Sequence, residues 1–139
     1  VESLANACHV FDKTTVISLL QPPPEVVNLF DEILLLGPNG VLLYHGPVSD
    51  AESYFEEEFG FKKPGNLPLA DFLVTLCTDE VTQYWSTFNS DDVPTPMEMA
   101  ERWKRSRIFK QYIKPRFHEA VNHGRCKESN TVNQMPWIT

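Results

Sequence analysis

Few residues in this chain combine the types and the spacing that catalytic or metal chemistry requires. His118, His123 and Cys126 are spaced so that three metal ligands could lie near one another. The segment holds a single cysteine and no second ligand pair, whereas zinc sites normally close with four ligands, so surface histidines and a free thiol are the favoured interpretation. Ser18 and His9 form no identifiable nucleophile arrangement.

The acidic residues are also weak candidates for general acid–base catalysis. Glu56, Glu57 and Glu58 are consecutive in a predicted helix and therefore point in different directions, which favours a solvated helix face. Asp71 is interpreted as a hydrogen-bonding residue at a helix terminus or loop. Because the sequence contains no G-x-x-x-x-G-K-S/T loop, it offers neither a backbone cradle nor a lysine for the β- and γ-phosphates of a nucleotide.

The ionic residues divide the chain into an acidic part and a basic part. Residues 1–101 hold 3 Lys or Arg against 17 Asp or Glu, a net charge of −14. Residues 102–139 hold 9 Lys or Arg against 2 Asp or Glu, a net charge of +7, and the whole chain carries −7. The division predicts an acidic globular part and a basic tail directed at an anionic partner, with a solvated basic helix face as the alternative.

Length and cysteine use bound the class of protein. A chain of 139 residues, 42% of them hydrophobic, is long enough for one globular domain with a core. No apolar run approaches the roughly 20 residues that cross a bilayer. The start, Val1 to Leu4, has neither an initiator methionine nor signal-peptide features, which suggests a chain cut out of a longer one. The cysteines at 8, 77 and 126 are odd in number and widely spaced, which indicates reduced thiols in a cytosolic setting.

Hydrophobic periodicity and turn residues predict helices and strands in the first half of the chain. The β-branched, apolar run Thr14–Leu20 is typical of a strand covered on both faces. The segment from Gly37 to Gly40 has the chemistry of a tight connection, because an Asn-Gly step readily adopts positive φ. The other predicted elements are a helix over Glu2–Val10, a helix from Pro24 to about Phe30, a strand over Asp31–Leu36 and an antiparallel strand over Val41–Tyr44 that Gly46-Pro47 breaks.

Capping boxes predict two helix starts in the second half. Ser49 with Glu52, and Thr95 with Glu98, have the spacing at which each residue's side chain bonds the other's backbone N–H. The first of these helices is expected to end at Gly60, and a further helix begins at about residue 69. The apolar faces of these two helices consist of Ala51, Tyr54, Phe55 and Phe59, and of Leu69, Phe72, Leu73 and Leu76.

The C-terminal third is predicted to be a linker, a helix and a mobile tail. Residues 86–96 are polar and punctuated by proline, which indicates a linker. Residues 97–116 predict a basic amphipathic helix, whose regular part ends at about Ile113 because Pro115 cannot continue it. Residues 117–139 are expected to form a mobile segment.

A series of short motifs resembles the nucleotide-binding domain of ABC transporters of the G-type, pleiotropic-drug-resistance group. In that family a His-Gln-Pro step is followed by a short helix, an LFD motif, a hairpin ending in YxGP, a GF-x-x-P element, ADFL and YW. The order and spacing agree over roughly residues 12–85. The matching residues are Leu20-Gln21-Pro22, Leu29-Phe30-Asp31, Tyr44-His45-Gly46-Pro47, Gly60-Phe61-Lys62-Lys63-Pro64, Ala70-Asp71-Phe72-Leu73 and Tyr84-Trp85.

The resemblance implies an α/β fold, in which residues 1–85 are the C-terminal part of an ABC-ATPase nucleotide-binding domain with distal core strands, a β-hairpin and C-terminal helices. The family's switch histidine contacts the γ-phosphate and helps to hold the attacking water. Leu20 occupies that position and can neither donate nor accept a hydrogen bond, as is typical of the first of two cassettes in full-size members. Gln21 could substitute as a polar group, although a strand-end amide bonded to the backbone is the favoured interpretation.

The resemblance also implies ATP and Mg²⁺ as cofactors of a full-length parent, an ATPase that exports multidrug-type or lipid-like small molecules. This chain lacks the Walker A loop, the LSGG-type signature and the Walker B strand, so it is expected to be inactive alone and to bind no cofactor. The implied partners are the rest of its own nucleotide-binding domain, a second nucleotide-binding domain and a transmembrane domain. The implied location is the cytoplasmic face of a membrane, in particular the plasma membrane.

The basic helix admits more than one partner. Basic residues interleaved with aromatic ones occur in nucleic-acid-binding segments, but the sequence has no nucleic-acid motif and is acidic overall. The resemblance favours a stretch that precedes a membrane span and faces an anionic leaflet. A different hypothesis for the whole chain is a free-standing acidic interaction module on an ABC-derived scaffold without nucleotide activity. The apolar stripe of the helix consists of Met99, Trp103, Phe109, Tyr112 and Ile113.

Overall fold

The computed structural model describes residues 1–20, 22–78 and 93–122. Six α-helices and one antiparallel pair of strands follow one another in these ranges. In chain order the elements are α1 (Glu2–Phe11), α2 (Pro24–Val27), β1 (Glu32–Leu36), a 3₁₀ turn (Pro38–Gly40), β2 (Leu42–Pro47), α3 (Val48–Phe59), α4 (Leu69–Leu76), α5 (Pro96–Arg105), a π-helical turn (Phe109–Ile113) and α6 (Lys114–Asn122). The predicted linker 86–96 and the motif pair Tyr84-Trp85 lie largely or wholly outside the described residues, as do Gln21 and residues 123–139.

The hairpin of β1 and β2 forms as predicted, with a longer second strand. Its connection places Asn39 at φ 56° and Gly40 at φ 74°, which confirms the expected positive-φ step. The prediction that Gly46-Pro47 breaks the second strand is wrong, because β2 continues to Pro47, which is paired with Glu32. A proline is tolerated there because β2 is an edge strand of the two-stranded sheet that the described residues form.

The core lies between β2, α3, α4 and α5. Leu43, Tyr44, Phe55, Phe61 and Phe72 are fully buried, and aromatic rings pack edge-on or tilted within this cluster. The apolar faces predicted for α3 and α4 are confirmed, since they supply most of the buried side chains of these helices. The core cluster is made of Leu42, Leu43, Tyr44, Ala51, Tyr54, Phe55, Phe59, Phe61, Phe72, Leu73, Leu76, Met99, Trp103 and Ile108.

The two predicted capping boxes have opposite outcomes. Thr95 and Glu98 form the box in full: the Thr95 hydroxyl accepts from the Glu98 N–H at 3.3 Å, and the Glu98 carboxylate accepts from the Thr95 N–H at 2.7 Å. The box at Ser49 is wrong, because α3 begins at Val48 and already contains Ser49 in its first turn. The Ser49 hydroxyl donates to the carboxylate of Asp50 instead, at 2.9 Å.

The basic helix predicted over 97–116 is two helices. α5 ends at Arg105, and Ser106 adopts an extended conformation with ψ 162° while its hydroxyl accepts from the Phe109 N–H at 3.2 Å. Helix then resumes and continues past Pro115 to residue 122, so the predicted end at Ile113 is wrong. The π-helical turn before Pro115 explains the continuation, because a widened turn accommodates the missing N–H and the ring of proline.

The predicted strand Thr14–Leu20 is wrong. These residues form no strand, and the side chains of Val16 and Leu20 are 92% and 93% exposed. A strand needs a neighbour for its backbone N–H and C=O groups, and the sheet of the described residues contains β1 and β2 alone. α2 is also shorter than predicted and ends at Val27, because the chain must turn extended at residue 31, whose carbonyl accepts from the Val48 N–H at 3.1 Å.

Candidate functional site

The switch position predicted from sequence carries an exposed apolar side chain. Leu20 lies between α1 and α2 with its side chain 93% exposed, and it offers no hydrogen-bonding group. Gln21, the predicted polar substitute, lies outside the described residues. The Leu20 side chain therefore cannot bind a phosphate, and any such contact near this position must come from other groups.

The motif around Tyr44-His45-Gly46-Pro47 is built to hold the hairpin on the core. The buried Tyr44 hydroxyl donates to the carbonyl of Pro47 at 2.8 Å, and burial raises the pKa of this phenol well above its ordinary value. Gly46 is required by close packing, because a Cβ there would lie 2.9 Å from Cγ2 of Ile108 and 3.0 Å from the Tyr44 hydroxyl. These contacts position β2 and perform no reaction.

The other motif residues are likewise used for packing and chain reversal. Gly60 ends α3 at φ 77°, and Phe61 directly after it is fully buried. Lys63 donates to the carbonyl of Leu67 at 3.2 Å and lies 3.5 Å from the carboxylate of Glu52. In the ADFL element the apolar residues are buried, whereas Asp71 is exposed in the first turn of α4, as expected for a helix-terminus residue.

A polar cluster joins the hairpin to the C-terminal helix. Arg116 Nη1 lies 2.5 Å from Glu32 Oε1, and the His45 Nε2 atom lies 3.4 Å from the other carboxylate oxygen, Glu32 Oε2. The Arg116 guanidinium also stacks over the ring of Tyr112, 4.2 Å from its centroid. Burial lowers the pKa of His45 more than the neighbouring Glu32 raises it, whereas the hydrogen bond to Glu32 raises the pKa of Arg116. Sequence reasoning missed this cluster because its members are separated by up to 84 residues.

The basic residues fall into a group engaged within the chain and a group exposed to solvent. Arg102 donates to the carbonyl of Glu58 at 3.0 Å and lies over the ring of Phe59, while Lys104 pairs with Glu101 at 2.7 Å. Most of the apolar stripe predicted for this region packs on the core, with Met99 and Trp103 buried and Phe109 and Ile113 partly buried, whereas Tyr112 is exposed. On the helix that follows Ser106, Arg107, Lys110 and Lys114 are exposed, as is Arg116, which pairs with Glu32.

The candidate nucleophiles and ligands do not assemble a reactive centre in the part that the structure describes. Burial raises the pKa of the Cys77 thiol to about 11, so this sulfur is protonated at neutral pH, and it donates to the carbonyl of Leu73 at 3.4 Å. Cys8 is a free thiol 2.8 Å from the Thr15 hydroxyl. Among the described residues no group of three or more His, Cys, Asp or Glu could hold a metal ion; His118 is exposed, and His123 and Cys126 lie outside those residues.

Comparison with known proteins assigns the family. A family model described as "ABC-2 type transporter" matches residues 20–134. The chain is 40% identical over 131 residues to ABC transporter G family member 45 of Oryza sativa subsp. japonica, which covers 92% of this chain and 9% of the relative. It is 45% identical over 87 residues to ABC transporter G family member 38 of Arabidopsis thaliana, and 48% identical over 88 residues to ABC transporter G family member 36 of Oryza sativa subsp. indica; each match covers 62% of this chain and 6% of the relative. No solved structure matches the chain.

The chain thus spans less than a tenth of the length of these curated relatives. The matching family model is named for the membrane component of the transporters, so the assignment to a nucleotide-binding domain depends on the motif order alone. In the described ranges no helix is both long enough and apolar enough to cross a bilayer. Because the family model covers most of its residues, the chain belongs to the ABC-2 type transporter family.

Proposed function

We propose that this chain is the C-terminal part of a nucleotide-binding domain, with its linker, in an ATP-driven exporter of the G-type pleiotropic-drug-resistance group. Its role there is to complete the core sheet, to carry the switch-loop position and to transmit motion towards the membrane domain. ATP and Mg²⁺ are bound by the parent protein at the cytoplasmic face of the membrane, in particular the plasma membrane. The transported substrates are multidrug-type or lipid-like small molecules.

The observation that carries the proposal is the distribution of apolar side chains over the surface. Val16 and Leu20 are almost fully exposed, and Leu34 and Leu36 on β1 are 55% and 54% exposed. Large exposed apolar side chains, together with a strand whose second edge is unpaired among the described residues, are typical of a surface that another part of a protein covers. In the proposal this surface receives the rest of the same nucleotide-binding domain.

The switch position supports a cassette that hydrolyses ATP slowly. A charge-assisted hydrogen bond of the kind that a histidine makes to a phosphate contributes on the order of 1.5–3 kcal/mol. Losing such a bond in the transition state slows a reaction by roughly ten- to a hundred-fold. A leucine at position 20 therefore fits the weaker of two cassettes, with the second nucleotide-binding domain and the transmembrane domain as partners.

The test is a comparison of ATP hydrolysis by the full-length parent transporter with Leu20 and with Leu20→His. We expect the histidine variant to hydrolyse ATP roughly ten- to a hundred-fold faster at this cassette. Val16→His is the matched control, because it places the same side chain on the same exposed segment without occupying the switch position. An unchanged rate for Leu20→His, or an equal gain for Val16→His, would contradict the proposal.

The buried core of β2, α3, α4 and α5 favours a second candidate, the free-standing acidic interaction module. The two candidates differ in the behaviour of the isolated chain. An exposed apolar strand edge predicts aggregation of the chain expressed alone. A monomer that melts in one cooperative transition would favour the module instead.

A further inference from the structure

The helix α6 lies outside the core that holds the preceding helices. From Lys114 to Ala120 no side chain is buried, and only Phe117 and Ala120 are even partly covered. By contrast, the residues just before it, Phe109 and Ile113, pack against the core cluster. The chain is therefore anchored up to residue 113, and α6 projects from that anchor with little apolar contact of its own.

A polar clasp connects α6 to the hairpin. Arg116 on α6 pairs with Glu32 at the start of β1, and its guanidinium stacks on Tyr112, one turn earlier. The clasp joins residues 84 positions apart and connects α6 with the first strand of the hairpin. The Arg116 and Glu32 side chains are 53% and 27% exposed, and ion pairs with this exposure contribute little enough to be broken readily.

The base of α6 has the geometry of a hinge. Residues Phe109–Ile113 form a π-helical turn, and Pro115 follows at the second position of α6. Both features weaken the regular hydrogen bonding of a helix and are recognised causes of bending. The pivot is thus next to the clasp, and opening the clasp leaves the core cluster untouched.

We propose that α6 is a releasable arm, held against the hairpin by the Arg116–Glu32 clasp and pivoting at the π-helical turn. The docked arm connects β1 with the C-terminal segment, and the released arm uncouples them. The inference is independent of nucleotide binding and of the switch position, because it depends on contacts within this chain alone. The arm proposal would remain valid if the proposed ATPase assignment were wrong. It can also be wrong while that assignment is correct.

The experiment is hydrogen exchange measured by mass spectrometry on the full-length parent transporter, comparing peptides from α6 with peptides from α3. Glu32→Gln removes the charge of the clasp and is expected to speed exchange in α6 about two- to five-fold. Arg116→Ala removes the ion pair and the stacking together and is expected to have a larger effect, about five- to twenty-fold. Exchange in α3 should stay unchanged in both variants, since α3 belongs to the core.

Two further variants make the test selective. Lys114→Ala removes an exposed positive charge next to the clasp and should leave exchange in α6 unchanged. The charge-reversed pair Glu32→Arg with Arg116→Glu should restore slow exchange relative to either single reversal. Unchanged exchange in Arg116→Ala, an equal effect of Lys114→Ala, or faster exchange spread over α3 would each overturn the proposal.

Discussion

The first 20 residues and the described part of the stretch from Leu42 to Ile108 contain similar apolar side chains but place them differently. In the first region Val10, Phe11, Val16 and Leu20 are largely exposed, and α1 buries none of its side chains. In the second region the apolar residues converge on one cluster with several fully buried rings. The comparison teaches that an apolar side chain is buried only where the fold supplies a partner surface.

The largest expected contrast is between an aromatic residue of the core and a valine of the exposed segment. Phe55 is fully buried and its ring contacts those of Tyr44 and Tyr54, so Phe55→Ala should reduce the free energy of unfolding by about 3–5 kcal/mol. Val16→Ala should change it by less than about 0.5 kcal/mol, because the side chain is already in solvent. Urea denaturation followed by circular dichroism measures both. Equal losses would show that residue 16 is covered in solution.

The two sequence-predicted capping boxes provide a contrast of intermediate size. Thr95→Ala removes a side chain that caps α5, and we expect a loss of about 1 kcal/mol. Ser49→Ala removes a hydroxyl that caps no helix end and should stay within about 0.5 kcal/mol of the parent. The measurement is the thermal unfolding of both variants compared with the parent chain. A larger loss for the serine variant would mean that α3 begins at Ser49 after all.

Two neighbouring tyrosines of the core, Tyr44 and Tyr54, allow a hydrogen-bonded hydroxyl to be compared with one that is unpaired in the described part of the packed region. Tyr44→Phe removes a hydroxyl that donates to the carbonyl of Pro47 and should cost about 1 kcal/mol. The Tyr54 hydroxyl is buried without a hydrogen-bond partner among the described residues, so Tyr54→Phe should be neutral or stabilising. The check is again the free energy of unfolding from urea titration. A loss in Tyr54→Phe equal to that in Tyr44→Phe would reveal a partner for that hydroxyl.

The smallest effect is expected from pH, at His45 within the packed region. Burial lowers the pKa of His45 below its ordinary 6.5, so the unfolded chain binds more protons than the folded one as the pH falls below about 6.5. The contribution of His45 is complete above that pH and is lost as the pH falls through the folded-state pKa. Melting temperatures from pH 7.5 to 5 should therefore fall less in His45→Gln than in the parent chain. A steeper fall in the variant would mean that Glu32 dominates over burial.

Turn and capping rules correctly predicted the elements that depend only on residues adjacent in sequence. The Asn39-Gly40 step, the stop at Gly60 and the Thr95–Glu98 box each depend on a few adjacent residues, and all three are present. The apolar faces of α3 and α4 were predictable for the same reason, since helical periodicity marks the side that a core covers. The sequence motifs also located the hairpin, because two apolar runs flank a segment with turn chemistry there.

Predictions that required knowledge of distant partners were wrong or incomplete. The run Thr14–Leu20 has the composition of a strand, but composition does not supply the neighbour that a strand must pair with. The helix breaks at Ser106 because the Ser106 hydroxyl accepts a hydrogen bond from the Phe109 N–H and so competes with the helix backbone. Hydrophobic periodicity carries no information about such a side-chain hydrogen bond. The Glu32–Arg116 pair joins positions 84 residues apart, for which no local signal exists.

The strand pairing of the hairpin limits the changes of sequence and length that its connection can accept. Tyr44 is paired with Leu35 and Leu42 with Leu36, so Leu43 is the extra residue at the register shift between Leu35 and Leu36. Adding or deleting a single residue in the connection would move each following side chain to the opposite face of the ribbon. The connection can therefore change its amino acids while keeping positive φ, but its length should be almost invariant.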